Sequence, residues 1–394
     1  MAVFRRMKAN RLSLSLLAVA AAIVFPSVSA AGTNDVDRTD PNFVKASLMI
    51  MSRGEVLFSC AGHTCLRLEC PTHKLDYCFS YESENIGDRI FSFFCGRLKM
   101  GLFAVPTKEF LEQYRKEGRG AVQYPLNLPP EVKVRLWKIL DDKVAEGPNL
   151  PYEYLKNGCC VQAVYKLLHQ AIVPLVIDSS LAKELPYASI REVFSAEVTP
   201  THPWSMFMLH AICGTAVDHE LTKTGKLVVP EDLATFLQHS RVAGQIIAGE
   251  REELVPVTVH VELSFFSPLR LAWMLVALAI LNVFWGRGIG DWAFLLAQSV
   301  AGAFFMYLVC LSNLPGTTWN WLIVPFNLFP LVFWHWRRYW AWAFAVVLLA
   351  WEAFMLLWPH QLTDPAYLVI VLAYIVFYVK VAWRTRKGAF PIMV

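Results

Sequence analysis

The C-terminal third of the sequence contains five long apolar segments, and this pattern requires a membrane around that part of the chain. The segments run approximately over residues 269–285, 291–311, 319–336, 339–358 and 366–383. Their lengths are close to the ~20 residues with which a helix crosses a bilayer. The chain of 394 residues is 56% hydrophobic, more than is usual for a soluble protein. We therefore predict an all-α transmembrane bundle over residues 266–394, ending in a short cytoplasmic tail. Pro325, Asn327 and Pro330 interrupt the third segment, so we expect it to be kinked or re-entrant.

Lysine and arginine residues cluster on one side of this bundle. Arg287, Arg337 and Arg338 lie in two of the connections, and a further basic group closes the last segment. The other two connections, 312–320 and 359–367, contain no Lys or Arg. Because basic loops remain in the cytoplasm, this asymmetry places the preceding domain outside it.

The first 30 residues have the features of a secretory signal peptide. Basic residues precede a 14-residue apolar run over 12–25, which is too short to span a membrane. Val28-Ser29-Ala30 fits the small-residue cleavage pattern, and an uncleaved anchor is the alternative. The chain thus divides into a signal peptide (1–30), a periplasmic domain (31–265) and the membrane region (266–394), which agrees with the charge asymmetry of the loops.

The periplasmic domain begins with three strand-like runs at 46–51, 62–70 and 75–81. The second and third are joined by "PTHK", which suits a short hairpin. A turn at Pro71-Thr72 gives one register that satisfies both faces. Leu66 then lies opposite Tyr77 on an apolar face, and the polar face pairs His63 with Ser80, Cys65 with Cys78 and Arg67 with Asp76.

Two adjacent cysteines follow Asn157-Gly158 at the start of a helix-periodic run. We predict helices at 107–118 and 129–147 and a third that begins here, with Asn157 as its N-cap. A thiol in a helix's first turn meets unpaired N–H groups that favour the thiolate. Cys160 is in helical phase with the apolar positions that follow, so it should face the sheet, and we favour it over Cys159 as a nucleophile. His63 is the candidate base and Ser80 the candidate third group.

Other interpretations of these residues stay open. Cys159 and Cys160 are equally explained as two buried hydrophobic residues. Two Cys-x2-His pairs mimic the ligand spacing of zinc, although the hairpin separates them; they are formed by Cys60, His63, Cys70 and His73. An oxidising compartment also permits disulfides such as Cys65–Cys78.

Five stretches resemble the Lnb N-terminal periplasmic domain family of bacterial inner-membrane proteins. They are "AGHTCLRLE" (61–69), "FCGRLKMGL" (94–102), "FLEQYRKEGRGAVQYPLNLPPE" (110–131), "YEYLKNGCC" (152–160) and "SNLPGTTWNWLIVPFNLFPL" (312–331). Members of this family look like circularly permuted papain-like (NlpC/P60-like) cysteine enzymes, in which the His precedes the Cys. The resemblance therefore implies an α+β fold for the periplasmic domain and the base role for His63.

The sequence departs from the family pattern at two places. Family members usually have Asn directly before the catalytic Cys, whereas Gly158 stands after Asn157 here. That alignment favours Cys159, while helix phase favours Cys160. The polar residue that orients the His is often Asn, and Ser80 takes that place.

The resemblance implies lipoprotein N-acylation. A Cys thiolate would take a fatty acyl chain from a phospholipid donor, and the terminal amine of a lipoprotein acceptor would resolve the thioacyl-enzyme. This chemistry needs no metal or other cofactor, and a net charge of +4 gives no indication of nucleic-acid binding. The expected location is the bacterial inner membrane, multi-pass, with the catalytic domain in the periplasm. A membrane-tethered cysteine peptidase or amidase and a non-catalytic envelope-binding domain are the alternatives.

Overall fold

The computed structural model describes residues 43–55, 59–84, 86, 88–151, 159–172, 188–222, 224–259, 265–285, 288–357, 361 and 363–386. The predicted signal peptide, Asn157 and Gly158 lie outside these residues. The described chain forms a mixed α/β domain built on an antiparallel sheet, followed by apolar helices.

Seven strands form the main sheet in the order β6-β4-β3-β2-β1-β5-β9, and two more form a separate hairpin. The strands are β1 (Lys45–Met51), β2 (His63–Cys70), β3 (Leu75–Ser83), β4 (Lys99–Pro106), β5 (Ala121–Pro125), β6 (Leu150–Pro151), β7 (Arg241–Val242), β8 (Gln245–Ile246) and β9 (Glu252–Val255). The first three confirm the predicted strand runs. All the ladders are antiparallel, so β2 and β3 run in opposite directions at the centre of the sheet.

The register predicted for the β2–β3 hairpin is wrong by two residues. Leu66 pairs with Phe79, and Arg67 pairs with Cys78. The loop is four residues long, because Pro71–His73 form a 3-10 turn that Lys74 closes in the left-handed region at φ 55°. A shift of two residues preserves the face of every side chain. The predicted partners therefore remain diagonal neighbours, and Arg67 still donates two hydrogen bonds of 2.8 Å to the Asp76 carboxylate.

The helices of the domain are α1 (Ile90–Phe94), α2 (Thr107–Lys116), α3 (Pro130–Glu146), α4 (Cys160–Ala171), α5 (Ile190–Val198), α6 (Pro203–Ile212) and α7 (Pro230–His239). They cover both faces of the sheet. Leu66, Leu68 and their neighbours form the larger core with α3, α4 and α7. On the opposite face, Cys65 is fully buried in a smaller core under α2, so the strand face predicted to be polar is apolar at its centre.

Three of the following helices are long and apolar enough to span a membrane: α9 (Ile289–Cys310), α11 (Arg337–Leu357) and α12 (Pro365–Arg386). A further apolar helix, α8 (Pro268–Trp285), is shorter. The predicted third segment is not one helix, because a 3-10 turn at Trp321–Ile323 is followed by only four helical residues, α10 (Phe329–Val332). Pro325 and Pro330 cannot donate backbone hydrogen bonds inside a helix, which explains the interruption.

Hydrogen bonds join the domain to the two loops of the apolar region that lack basic residues. Gly214 N–H donates to Gly316 O at 2.7 Å, and Asn320 Nδ2 donates to Ala211 O at 2.7 Å. In the other loop, Gln361 Nε2 donates to Cys213 O at 3.3 Å. The charge asymmetry of the sequence put these same loops on the side of the exported domain, and the contacts agree with that topology.

Candidate active site

The cysteine pair lies at the N-terminus of α4. Cys159 is its N-cap with extended backbone angles (φ −63°, ψ 151°), and its Sγ accepts a hydrogen bond from Gln162 N–H at 3.4 Å. Cys160 is the first helical residue. The prediction that Asn157 caps this helix is therefore wrong: the helix begins after Cys159, and the thiol takes the capping role that a hydroxyl usually has.

The Cys160 side chain lies beside His63, the first residue of β2, close enough for its thiol to influence the imidazole. Both are largely buried. Burial opposes the charged imidazolium, but the neighbouring Cys160 and the Glu82 carboxylate outweigh it and raise the pKa of His63 above its usual range. Cys160 therefore faces the sheet, as helix phase predicts.

Cys159 has a different environment. Its neighbours are backbone groups of the first helical turn and Lys166, and burial raises the pKa of its thiol to about 11. Such a thiol stays protonated near neutral pH and is a poor nucleophile. The two adjacent cysteines therefore have different roles in the fold. Cys159 caps the helix, and Cys160 contacts the imidazole.

Ser80 lies beside His63, as predicted, with its Oγ 2.7 Å from His63 Nε2. Its hydroxyl donates to Glu82 Oε1 at 2.8 Å. Because a hydroxyl carries a single hydrogen, Ser80 must accept the hydrogen bond from His63 Nε2–H. This order of donors leaves Nδ1 as the imidazole nitrogen free to exchange a proton with the thiol.

Glu82 is the next residue in line after Cys160, His63 and Ser80. It was not among the site residues predicted from the sequence. Its Oε1 lies 3.6 Å from His63 Nε2, close enough to stabilise an imidazolium through space. The signal was present in the sequence: Asp76, Cys78, Ser80 and Glu82 alternate on one face of β3. Only the observed register, when it is extended from its last pair Leu66–Phe79 to the start of β2, brings Glu82 opposite His63 and identifies it as a neighbour.

Arg119 is a second residue near the imidazole. Its guanidinium donates two hydrogen bonds, of 2.9 and 2.7 Å, to Ser52 O, directly after β1. Its charge lowers the pKa of His63 and so opposes the effect of Glu82. Arg119 belongs to the "EGRG" stretch quoted above, and its contacts hold the connection before β2 in place.

The two Cys-x2-His pairs predicted as zinc ligands lie far from each other. Cys60 and His63 are at the start of β2, whereas Cys70 ends β2 and His73 follows it, about 23 Å away at ~3.3 Å per residue. In the described part of the chain, no three His, Cys, Asp or Glu side chains converge as metal ligands. Cys65 and Cys78 are in contact, but both are free thiols.

The site lies at the end of the sheet that faces the apolar helices. His63 begins β2 and pairs with Met51, the last residue of β1. At the same end, β3 leads to α1, where Phe94 O accepts a hydrogen bond of 2.5 Å from Ser312 Oγ in the loop after α9. Ser80 and Glu82 therefore precede by 14 and 12 residues a backbone group, Phe94 O, that contacts the loop after α9.

A comparison with protein families supports the resemblance. Residues 34–196 match the family model of the Lnb N-terminal periplasmic domain. Over these residues the chain is similar to the Lnb N-terminal periplasmic domain. The match contains His63, Ser80, Glu82, Cys159 and Cys160. No curated protein and no solved structure gives a match. Together with the three long apolar helices, the match describes an Lnb-like membrane protein with a periplasmic domain.

Proposed function

We propose that the protein is a thiol acyltransferase that moves a fatty acyl chain from a phospholipid to the N-terminal amine of lipoproteins. The observation that carries this proposal is the hydrogen-bonded row His63–Ser80–Glu82, with Cys160 beside the imidazole, in a domain similar to the Lnb N-terminal periplasmic domain. We place the enzyme in the bacterial inner membrane, with its site on the periplasmic side and several membrane-spanning helices.

In the first half-reaction, the Cys160 thiol gives its proton to His63, and the sulfur attacks the ester carbonyl carbon of the phospholipid. The carbon–oxygen bond to the glycerol then breaks, the imidazolium returns the proton to the leaving alkoxide, and a lysophospholipid departs. Backbone N–H groups in the first turn of α4 are the candidate donors to the oxyanion. The product is a thioester on Cys160.

In the second half-reaction, the α-amine of the lipoprotein's terminal cysteine attacks the thioester carbonyl. His63 accepts a proton from the attacking amine, the carbon–sulfur bond breaks, and the proton returns to the Cys160 sulfur. The amide product leaves, and no electrons or further reactants are needed. Glu82, acting through Ser80, holds the imidazole in the required tautomer and stabilises its charged form.

The chain order of the proposed site is that of a permuted papain-like enzyme. The base His63 stands on a strand that precedes the nucleophile, and Cys160 stands at the start of a helix packed on the sheet. We infer that the domain belongs to this architecture. The order supports the inference because the papain-like arrangement is defined by the helix-borne thiol and strand-borne imidazole rather than by their sequence positions.

The direct test is expression in a bacterial host that lacks its own lipoprotein N-acylation, followed by mass spectrometry of an abundant lipoprotein. We expect triacylated lipoprotein with the unchanged chain and only diacylated lipoprotein with Cys160→Ala. We also expect an acyl-enzyme that hydroxylamine releases at neutral pH and that His63→Ala does not form. Diacylated lipoprotein alone, with the unchanged protein folded and inserted, would refute acyl transfer.

The same preparation separates the alternatives. A cysteine peptidase or amidase with this site would react with a thiol-directed activity probe but would not acquire an acyl chain from phospholipid vesicles. A non-catalytic envelope-binding domain would do neither. Labelling and acyl-enzyme formation are therefore measured side by side, with Cys160→Ala as the common control.

A further inference from the structure

We infer that residues 90–99, here called the interfacial segment, dock in the outer leaflet of the membrane, with Ile90 and Phe91 among the lipid acyl chains. The segment connects β3 to β4 and contains α1. It includes part of the family stretch at 94–102, for which the proposed reaction gives no role. The inference does not depend on acyl transfer, because it concerns where the domain meets lipid.

The inner side of the interfacial segment is fixed to the end of α9. Phe93 is buried with Leu314, and the ring of Phe94 lies 5.7 Å from that of Phe304 on α9. Cys95 Sγ is 3.1 Å from Tyr307 Oη, one turn before the end of that helix. The interfacial segment therefore lies at the same depth as the last turn of α9.

The outer side of the segment is apolar and has no cover in the described chain. The Phe91 side chain is 83% exposed and Ile90 is 41% exposed. Leu311, which follows α9, is 71% exposed. Contact with water is unfavourable in free energy for each of these large apolar side chains beside the end of a membrane helix. Lipid that covers them would remove this cost.

A second group of exposed aromatic residues lies directly before α8. Phe265 and Phe266 are more than half exposed, and Trp204 Nε1–H donates to Phe266 O at 2.8 Å. Chain direction makes this the outer end of α8, because the periplasmic domain precedes it. Aromatic side chains concentrate where acyl chains meet headgroups. Two separate connections between the domain and the apolar helices thus carry exposed apolar residues.

Positive charge in the interfacial segment supports lipid rather than a protein as the occupant. Arg97 and Lys99 are exposed, and the described residues give neither an ion pair. Lipid phosphates at the headgroup level are the anions that such side chains reach while their aliphatic stems lie along apolar surface. The segment has apolar residues at its start and cations at its end. A phospholipid likewise has an apolar acyl chain at one end and an anionic phosphate near the other.

The test places a photoreactive benzoylphenylalanine at Phe91, and separately at Ile90, in the full-length protein in phosphatidylethanolamine–phosphatidylglycerol nanodiscs. Ile246 provides the matched control, because it is also 41% exposed. It lies in the β7–β8 hairpin, beyond the C-terminal end of β5. Met51 pairs with the N-terminal end of β5, so the control position is at the opposite end of that strand. After irradiation, mass spectrometry identifies what is attached at each position.

We expect phospholipid adducts at positions 90 and 91 at yields at least tenfold above position 246. The double substitution Arg97→Glu/Lys99→Glu should lower the yield at position 91 several-fold. Equal yields of phospholipid adducts at positions 90, 91 and 246 would overturn the inference. Adducts to protein alone, when the crosslinking is done in native membranes, would also overturn it. Because photocrosslinking requires no turnover, its outcome is independent of whether the protein transfers acyl chains.

Discussion

His63 Nε2 lies 2.7 Å from Ser80 Oγ, although the β2–β3 register, extended beyond its last pair Leu66–Phe79, brings Glu82 rather than Ser80 opposite His63. The contact is diagonal, and it brings a second acceptor within reach because the Ser80 hydroxyl donates onward to Glu82. The imidazole therefore has a neutral partner at hydrogen-bond distance and a charged one 3.6 Å away. This arrangement leads to separate expectations for the two residues.

Glu82→Gln should shift the acidic limb of the pH–rate profile of acyl-enzyme formation to lower pH. The carboxylate helps to raise the pKa of His63, so without it the imidazole stays neutral, and able to accept the Cys160 proton, down to a lower pH. Glutamine preserves the acceptor for Ser80. An unchanged limb would show that the Glu82 charge does not act on His63.

Ser80→Ala should lower the rate of acyl-enzyme formation without a comparable loss of phospholipid binding. The substitution leaves the Nε2–H of a buried imidazole without its acceptor, at a cost of about 1–3 kcal/mol. Ser80→Thr retains the hydroxyl and serves as the conservative variant. The readout is the single-turnover rate, and a Ser80→Ala rate equal to the unchanged protein would exclude a positioning role.

Substitutions of Cys159 and of Cys160 should have different effects. We expect Cys160→Ala to abolish the acyl-enzyme, whereas Cys159→Ala should retain it and lose about 1 kcal/mol of stability, because only the cap to Gln162 N–H is removed. Cys159→Ser keeps an acceptor at the cap and should be close to unchanged. Intact-protein mass and thermal unfolding measure the two effects. Loss of the acyl-enzyme in Cys159→Ser alone would assign the nucleophile to Cys159.

Arg191→Met should destabilise the domain by about 3–5 kcal/mol, because the largely buried Asp218 carboxylate loses its ion pair with Arg191. Arg191 also donates to the carbonyl groups of Cys213 and Gly214, which belong to the segment that contacts the membrane loops. The midpoint of thermal unfolding in detergent is the measurement. The double variant Arg191→Met/Asp218→Asn also removes the carboxylate charge and should recover part of the loss; no recovery would contradict this explanation.

A reporter enzyme fused after Val394 should be active only in the cytoplasm. The prediction rests on the basic residues that flank the last predicted span, and on the contacts of the domain with loops that lack Lys and Arg. A fusion that truncates the chain within loop 312–320 is the matched control and should report the opposite side. Periplasmic activity of the Val394 fusion would reverse the topology.

Several features of the protein followed from local sequence alone. Alternation with period two placed His63 and Ser80 on one strand face, and that assignment survived a register error because a shift of two residues returns every side chain to the same face. Helix phase oriented Cys160 toward the sheet, because the positions four, seven and eight residues later are apolar. The distribution of Arg and Lys predicted which loops accompany the domain.

The tertiary structure decided what depends on exact distances between segments. The left-handed Lys74 lengthened the hairpin loop, and only the resulting register brought Glu82 beside the imidazole. Burial and capping separated Cys159 from Cys160, two identical side chains that are adjacent in sequence. Patterns of hydrophobicity determine the face on which a residue lies, because they repeat with the backbone period. They do not determine which residues of different segments come within hydrogen-bond distance, because that depends on loop conformation and on packing between elements far apart in the chain.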